Sequence, residues 1–344
     1  MPSDLILITG VSGHVGFKVL VNALELGYSV RAVIRGTSKE AGILATKSIQ
    51  TLNPGARLSF VVVQDNSVDG AYDEALNGVK YVIYVGSPTP DGAIPLEEQE
   101  AQIVIPAVKG TIGMLQSANK TASIKRVVIT GSCASIIPTM TVIGGSDEEF
   151  DESSEAEAFT PPFPHVFVAY CASKIAAFKA TKDFIAREKP AFDVVTLMPA
   201  YIIGKNELVT NPKKIKLGSN GLAFRQILGE NPDPVPGGAV HLHDVAKAHL
   251  LALDPKIPGN SHFILSSSGL DGIVWGDAIG VVAKNYPRAV AKGTLPNNGV
   301  AETLRLKINS RKAEEAFGFK FLNYEEQVKS VTSHYLELVG SEAA

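Results

Sequence analysis

Cysteine is nearly absent from this chain, with only Cys133 and Cys171 among 344 residues. Two are too few for a disulfide framework or a zinc site, and a reducing, cytoplasmic setting is expected. An excess of either charge is missing too. The balance is 32 Lys and Arg against 35 Asp and Glu, net −3. No broad positive field results, so neither nucleic acid nor an anionic membrane is an expected partner. No apolar run approaches the roughly 20 residues of a membrane-spanning helix. Met1-Pro2-Ser3-Asp4 places no basic segment before its apolar run, so no signal peptide is expected. Internal repeats and low-complexity tracts are lacking as well. Core-forming residues are abundant: 45% are hydrophobic and 19% charged, enough to bury one large domain or a domain with a smaller appendage.

Short apolar runs alternate with helical patterns. Leu5 to Ile8, Ser29 to Ile34, Leu58 to Val63, Lys80 to Val85, Arg126 to Thr130 and Val194 to Leu197 read as buried strands. Between them, Val15–Leu26, Lys39–Thr51, Tyr72–Leu76, Leu96–Ala118 and Val168–Glu188 read as helices. This is the pattern of an α/β, doubly wound parallel sheet. Pro138 to Pro164 is acidic and rich in turn residues, and reads as a long surface loop. Beyond Tyr201 the composition shifts, with helices expected near Leu222–Leu228 and Val245–Leu253. The expected division is a nucleotide-binding domain over 1–200 and a smaller substrate-binding lobe over 201–344, some segments of which return to the first domain.

Thr9-Gly10-Val11-Ser12-Gly13-His14-Val15-Gly16 joins the first strand to the first helix. Glycines there permit a tight turn, close approach of a pyrophosphate and close helix packing. The helix N-terminus adds N–H groups and a partial positive charge. The second strand ends Val33-Ile34-Arg35-Gly36, without the acidic residue that would accept from a ribose 2′-hydroxyl. Arg35, assisted by Lys39, is the candidate 2′-phosphate ligand, and NADP(H) the expected cofactor. Asp65, after the third strand, is a candidate adenine contact, although a lone loop carboxylate is commonly just solvated.

Carbonyl reduction by a nicotinamide needs a proton donor, and a tyrosine serves if a nearby cation lowers its pKa. Tyr170-Cys171-Ala172-Ser173-Lys174 opens a helical stretch, so its Tyr and Lys share one face. Tyr201-Ile202-Ile203-Gly204-Lys205 repeats the spacing after Pro199 without a helical run, and reads as a loop with a chance match. Ser132, just past the end of a strand, can donate to the substrate oxygen; Ser135 competes for that role.

Together, Thr9-Gly-x-x-Gly-x-x-Gly16, Ser132, Tyr170-x-x-x-Lys174 and Pro199 resemble the extended short-chain dehydrogenase/reductases. Arg31-Ala-Val-Ile-Arg35, Val85-Gly-Ser-Pro88, Pro106-Ala-Val-Lys-Gly-Thr111, Arg126-Val-Val-Ile-Thr-Gly-Ser132, Asp151-Glu152 and Val240-His-Leu-His-Asp-Val-Ala246 are similar to the dihydroflavonol and cinnamoyl-CoA reductase branch. The C-terminal Leu-Val-Gly-Ser-Glu-Ala-Ala344 is similar to fungal NADPH-dependent aldehyde and ketone reductases. The resemblance implies Tyr170 as general acid, Lys174 as pKa modulator and ribose ligand, and Ser132 as carbonyl ligand. Thr9, Gly10, Ser12, Gly13, His14, Val15, Gly16, Arg35, Lys39, Asp65, Asn66, Val85, Gly86 and Pro199 would line the cofactor, with Ser87, Tyr201 and Phe224 toward a small carbonyl substrate. The chain departs from the family at His14, at Gly131 and at Ala107, where many members carry an Asn that anchors a proton relay. A monomer or homodimer is expected. His241, His243, His249 and His262 lack zinc-ligand spacing, Cys133 and Cys171 read as buried fillers rather than a redox switch, and Trp275 and Phe163 fit a core as well as a pocket. The alternative enzymes are an NAD(P)-dependent hydroxysteroid dehydrogenase or sugar-nucleotide epimerase; the non-enzyme alternative is an NADP-sensing regulatory protein.

Overall fold

The computed structural model describes residues 4–88 and 94–340. The N-terminal Met1 to Ser3, part of the loop after Gly86 and the end of the Leu-Val-Gly-Ser-Glu-Ala-Ala344 motif lie outside the described residues. Seven strands form the main sheet: β1 (Leu5–Ile8), β2 (Ser29–Ile34), β3 (Leu58–Val62), β4 (Tyr81–Tyr84), β5 (Arg126–Thr130), β6 (Asp193–Pro199) and β7 (Ser261–Leu265). Their order is β7-β6-β5-β4-β1-β2-β3. β1 pairs in parallel with β2 on one side and β4 on the other. Strand order therefore reverses between β1 and β4, where open α/β sheets bind ligands at the strands' carboxyl ends. The doubly wound α/β class expected from the alternation is the architecture found.

The principal helices are α1 (His14–Glu25), α2 (Ile105–Asn119), α3 (Val166–Glu188) and α4 (Leu242–Leu251). α2 and α3 pack on each other. Leu115 of α2 and Phe184 of α3 belong to one apolar cluster with Leu7, Val82, Val127 and Val194 of the sheet. Such side chains contribute roughly 1.5–3 kcal/mol each when fully buried.

Several local expectations fail for identifiable reasons. The expected helix over Lys39–Thr51 is two short ones, Ser38–Leu44 and Lys47–Leu52. Thr46 between them is extended, and its hydroxyl donates to the Ile43 carbonyl at 2.7 Å. Tyr72–Leu76 is turn rather than helix, bracketed by Gly70 and Gly78 at φ of 73° and 74°. The supposed loop from Pro138 to Pro164 contains a helix, Thr139–Gly144, and a strand, Glu149–Phe150, that pairs with Lys307–Ile308. Tyr201–Ile203 is likewise a strand, paired with Ala239–His241.

Two compact units emerge, each assembled from separated segments. The first takes the chain up to Thr139, then Ser154–Met198 and Ala246–Phe263; the second takes Met140–Ser153, Pro199–Val245 and the chain from Ile264 onward. Within the first, the buried Arg126 side chain donates to the carbonyls of Ala252 and Asp254 at 3.0 and 2.6 Å and pairs with Asp193 at 2.9 Å. The second has its own core around Trp275, Phe224 and Val328. Among the described residues, no helix is long and apolar enough to cross a membrane.

Candidate active site

The glycine turn is built by steric necessity. Gly10 has a φ of +68°, and a Cβ there would stand 3.0 Å from the Gly86 nitrogen. A Cβ on Gly16 would meet the Gly10 carbonyl oxygen at 2.2 Å, so only glycine lets α1 start this close to β1. Gly13 caps α1 with extended backbone and no side-chain cap, and no acidic residue occupies the first turn. The first-turn N–H groups, including those near His14 and Val15, thus face the exposed Ser12–Gly13 corner without a competing carboxylate. This cradle fits a pyrophosphate.

Thr9 behaves differently from its expected role as a cofactor contact. It is buried, and its hydroxyl accepts from the amides of Val85 and Gly86 at 2.9 and 3.1 Å. Its side chain fastens the β4 loop against the glycine turn. Asn66 also turns inward, donating to the Tyr84 hydroxyl at 3.3 Å. At the end of β2, Arg35 and Lys39 are exposed, and Arg35 forms no ion pair among the described residues. Asp65 accepts from the amide and hydroxyl of Ser67. Those bonds, with help from Arg35 and Lys109, hold its carboxyl below the usual range.

The proposed proton-transfer residues meet within the first unit. Ser132 leaves β5 in extended conformation, and its Oγ accepts from the Ala134 amide at 3.2 Å. His165 caps α3 by accepting from the Phe167 amide at 3.1 Å. Tyr170 then falls in the second turn, stacked on Phe167 with ring centroids 5.7 Å apart. Ser132 is near enough to the Tyr170 phenol to act on its acidity. The Lys174 Nζ lies 5.3 Å from the Tyr170 ring centroid, as four-residue helical spacing requires.

Burial raises the Tyr170 phenol above its ordinary value, with Ser132 pulling the other way, so the group is protonated at neutral pH. Burial also pushes the Lys174 ammonium down to about 8. No acceptor among the described residues takes a hydrogen bond from it. Cys133 and Cys171 are raised to about 11 and about 12, chiefly by burial, which leaves them protonated at neutral pH.

Lys174 also lines a cavity with about 20 Å³ of room for the centre of a water molecule. Ser135, Thr130, Thr196, Thr111, Tyr84 and Ser87 are among the residues lining it. The two serines thus part company: Ser132 meets Tyr170, and Ser135 lines this cavity. Gly131 also lines it, and a Cβ there would press Thr196 Cγ2 at 3.0 Å. Sequence reasoning missed one partner altogether. The fully buried His249, on α4, lies 2.7 Å from the Thr130 hydroxyl. A separation of 119 residues leaves no local signal for that pair.

Pro199, Tyr201 and Phe224 belong to the second unit. Pro199 is the buried last residue of β6. Tyr201 is half-buried, its ring 6.1 Å from that of Trp275. Phe224 is fully buried, 5.1 Å from the Tyr335 ring, so it is core and no wall of a substrate pocket. The Tyr201–Lys205 repeat of the motif lies on a strand and the residues after it, and Lys205 pairs with Glu337 instead. Among the described residues, no three His, Cys, Asp or Glu side chains are grouped to hold a metal.

Residues 6–264 match the NAD dependent epimerase/dehydratase family. The chain belongs to that family. A ketoreductase, CTB6, of Cercospora beticola is 38% identical over 98% of this chain and 96% of its own. The ketoreductase sphI of Aspergillus fumigatus is 33% identical over 98% of this chain and 99% of its own. The crystal structure of yeast methylglyoxal/isovaleraldehyde reductase Gre2, complexed with NADPH, superposes with a TM-score of 0.82 at 25% identity, covering 98% of this chain and all of that one. This member of the epimerase/dehydratase family is an NAD(P)-dependent oxidoreductase.

Proposed function

We propose that the protein reduces a small ketone or aldehyde to an alcohol with NADPH, and that Tyr170 supplies the proton. The observation that carries this reading is the convergence of Tyr170, Ser132 and Lys174 in the same unit as the glycine cradle. A nicotinamide bound in the cradle would supply the hydride for the carbonyl carbon. The Ser132 hydroxyl donates to the carbonyl oxygen and follows it as negative charge develops. Tyr170, held protonated by burial, transfers its proton to that oxygen. The Lys174 ammonium favours the tyrosinate left behind, because an opposite charge nearby lowers a phenol's pKa.

NADPH is preferred over NADH through the exposed Arg35, which forms no ion pair among the described residues and follows a strand, β2, that ends without an acidic residue. The similarity to the NADPH-bound reductase and to the fungal ketoreductases supports both halves of the reading.

Replacing Tyr170 with Phe tests it. NADPH binding, followed by fluorescence titration, should stay within twofold of the parent, while kcat on a panel of ketones and aldehydes falls by about 10²–10⁴-fold. Activity comparable with the parent would overturn the mechanism. An active parent that retains its cofactor without net NADPH consumption would instead support an epimerase.

A further inference from the structure

One segment of chain is tied to both ends of β5. At the start of the strand, the buried Arg126 side chain donates to the Ala252 and Asp254 carbonyls at 3.0 and 2.6 Å. At its finish, the Thr130 hydroxyl lies 2.7 Å from Nε2 of His249, a short bond whichever atom donates. Arg126 and Thr130 are the first and last residues of the strand, so their side chains leave from the same face. His249 stands in the last turn of α4, and Ala252 and Asp254 follow that helix at once. Residues 249–254 therefore run back along β5 as a splint. The His249 ring is fully buried, where an apolar side chain would serve packing alone without the cost of desolvating an imidazole.

The finish of β5 is where such a hold matters. Its register with β4 stops at the pair Tyr84–Ile129. On the β6 side Thr130 still pairs with Leu197, and the Gly131 amide donates to the Leu197 carbonyl at 2.7 Å. Past Ile129 the register thus continues along one edge alone. Gly131 has no side chain to fix it, so Thr130 is the last residue to anchor its side chain before Ser132, which opens the turn Cys133–Ser135. We propose that His249 is a positioning residue: through Thr130 it fixes the carboxyl end of β5, and with it the place of Ser132 beside Tyr170. The inference rests on carbonyl reduction with Ser132 as the carbonyl ligand. A hydroxyl that stabilises a developing oxyanion does so only from the right distance, and a misplacement of about 1 Å costs up to about 100-fold in rate. His249 acts through the strand and needs no contact with substrate or cofactor.

Thr130→Val, which keeps the side chain's shape and removes its hydroxyl, tests the proposal in the intact protein. Its crystal structure should show Ser132 Oγ displaced by about 0.5 Å or more relative to the Tyr170 phenol. On any ketone or aldehyde the parent reduces, kcat should fall about tenfold. NADPH affinity, followed by fluorescence titration, should stay within about twofold, because the glycine cradle belongs to β1 and α1. Thr130→Ser should bring kcat back to within about twofold of the parent, since the hydroxyl returns. A packing role predicts the opposite order, because valine keeps the methyl that serine lacks. Thr130→Val combined with His249→Phe should be no more than about twofold slower than the worse single variant, both having removed the same bond. An unmoved Ser132, an unchanged kcat, additive losses or a serine variant slower than the valine variant would each overturn the proposal. A parent that consumes no NADPH with any carbonyl would sink the reduction reading, and the Ser132 displacement would then decide the positioning by itself.

Discussion

Lys174 sits where a cation is expensive to keep, and that cost is measurable apart from catalysis. Its pKa falls to about 8 in the folded protein against 10.5 for the exposed side chain. The unfolded chain therefore holds this proton more tightly, and the folded state is penalised by about 3 kcal/mol wherever the group is charged. The penalty is complete below pH 8, shrinks between the two pKa values and vanishes above the higher one. Lys174→Met should accordingly stabilise the cofactor-free protein at pH 7 by up to about 3 kcal/mol while disabling it. Urea unfolding at pH 7 and again above pH 10 should show that gain and then its loss. A gain that does not change with pH would contradict the assignment. Arg35→Ala belongs to the same scale: KM for NADPH should rise about 10–100-fold, with that for NADH little changed. Equal effects on the two cofactors would remove Arg35 as the phosphate ligand. Tyr170 and Lys174 were legible in the sequence because four-residue spacing on a helix is a local property. Phe224 was misread because a core aromatic and a pocket aromatic have the same signature, and only its complete burial tells them apart. The pairing of Thr130 with His249 carried no sequence signal at all.

The start of α1 shows how an element can be decided by one missing atom. Gly→Ala inside a helix ordinarily gains about 0.5–1 kcal/mol. At Gly16 the added methyl would collide with the Gly10 carbonyl, so the sign reverses and a loss of about 1–3 kcal/mol is expected. Thermal melting should show it, together with weakened NADPH binding as the cradle opens; a stabilised Gly16→Ala protein would refute the steric argument. The first six strands could be read because each is a compact apolar run. Strand β7 begins Ser261-His262 and announces nothing of the kind. Glu149–Phe150 was invisible for another reason, since its partner is near residue 307 and strand pairing over such a distance leaves no local trace. The helices Asp277–Asn285, Arg311–Phe317 and Tyr324–Leu338 went unread in a region where turn residues interrupt the periodicity.

For the molecule as a whole, the boundary near residue 200 that composition suggests is crossed by the chain. The first unit needs Ala246–Phe263 as well, held by Arg126 through the carbonyls of Ala252 and Asp254. Arg126→Met should strand those acceptors and cost about 2–4 kcal/mol in urea unfolding. A change under about 0.5 kcal/mol, the range of ordinary surface substitutions, would show the clamp to be idle. A fragment ending at residue 200 should lack a cooperative unfolding transition, whereas one sharing the parent's melting profile would show the returning segment to be dispensable. The same interleaving sets a delay at birth. On the ribosome, the first six strands of the main sheet and helix α3 are complete or nearly so once Met198 has emerged, but the first unit's last segment is still 65 residues from finished at Phe263. At about 5–20 residues per second, that is roughly 3–13 s in which an unfinished sheet edge must be kept from other nascent chains.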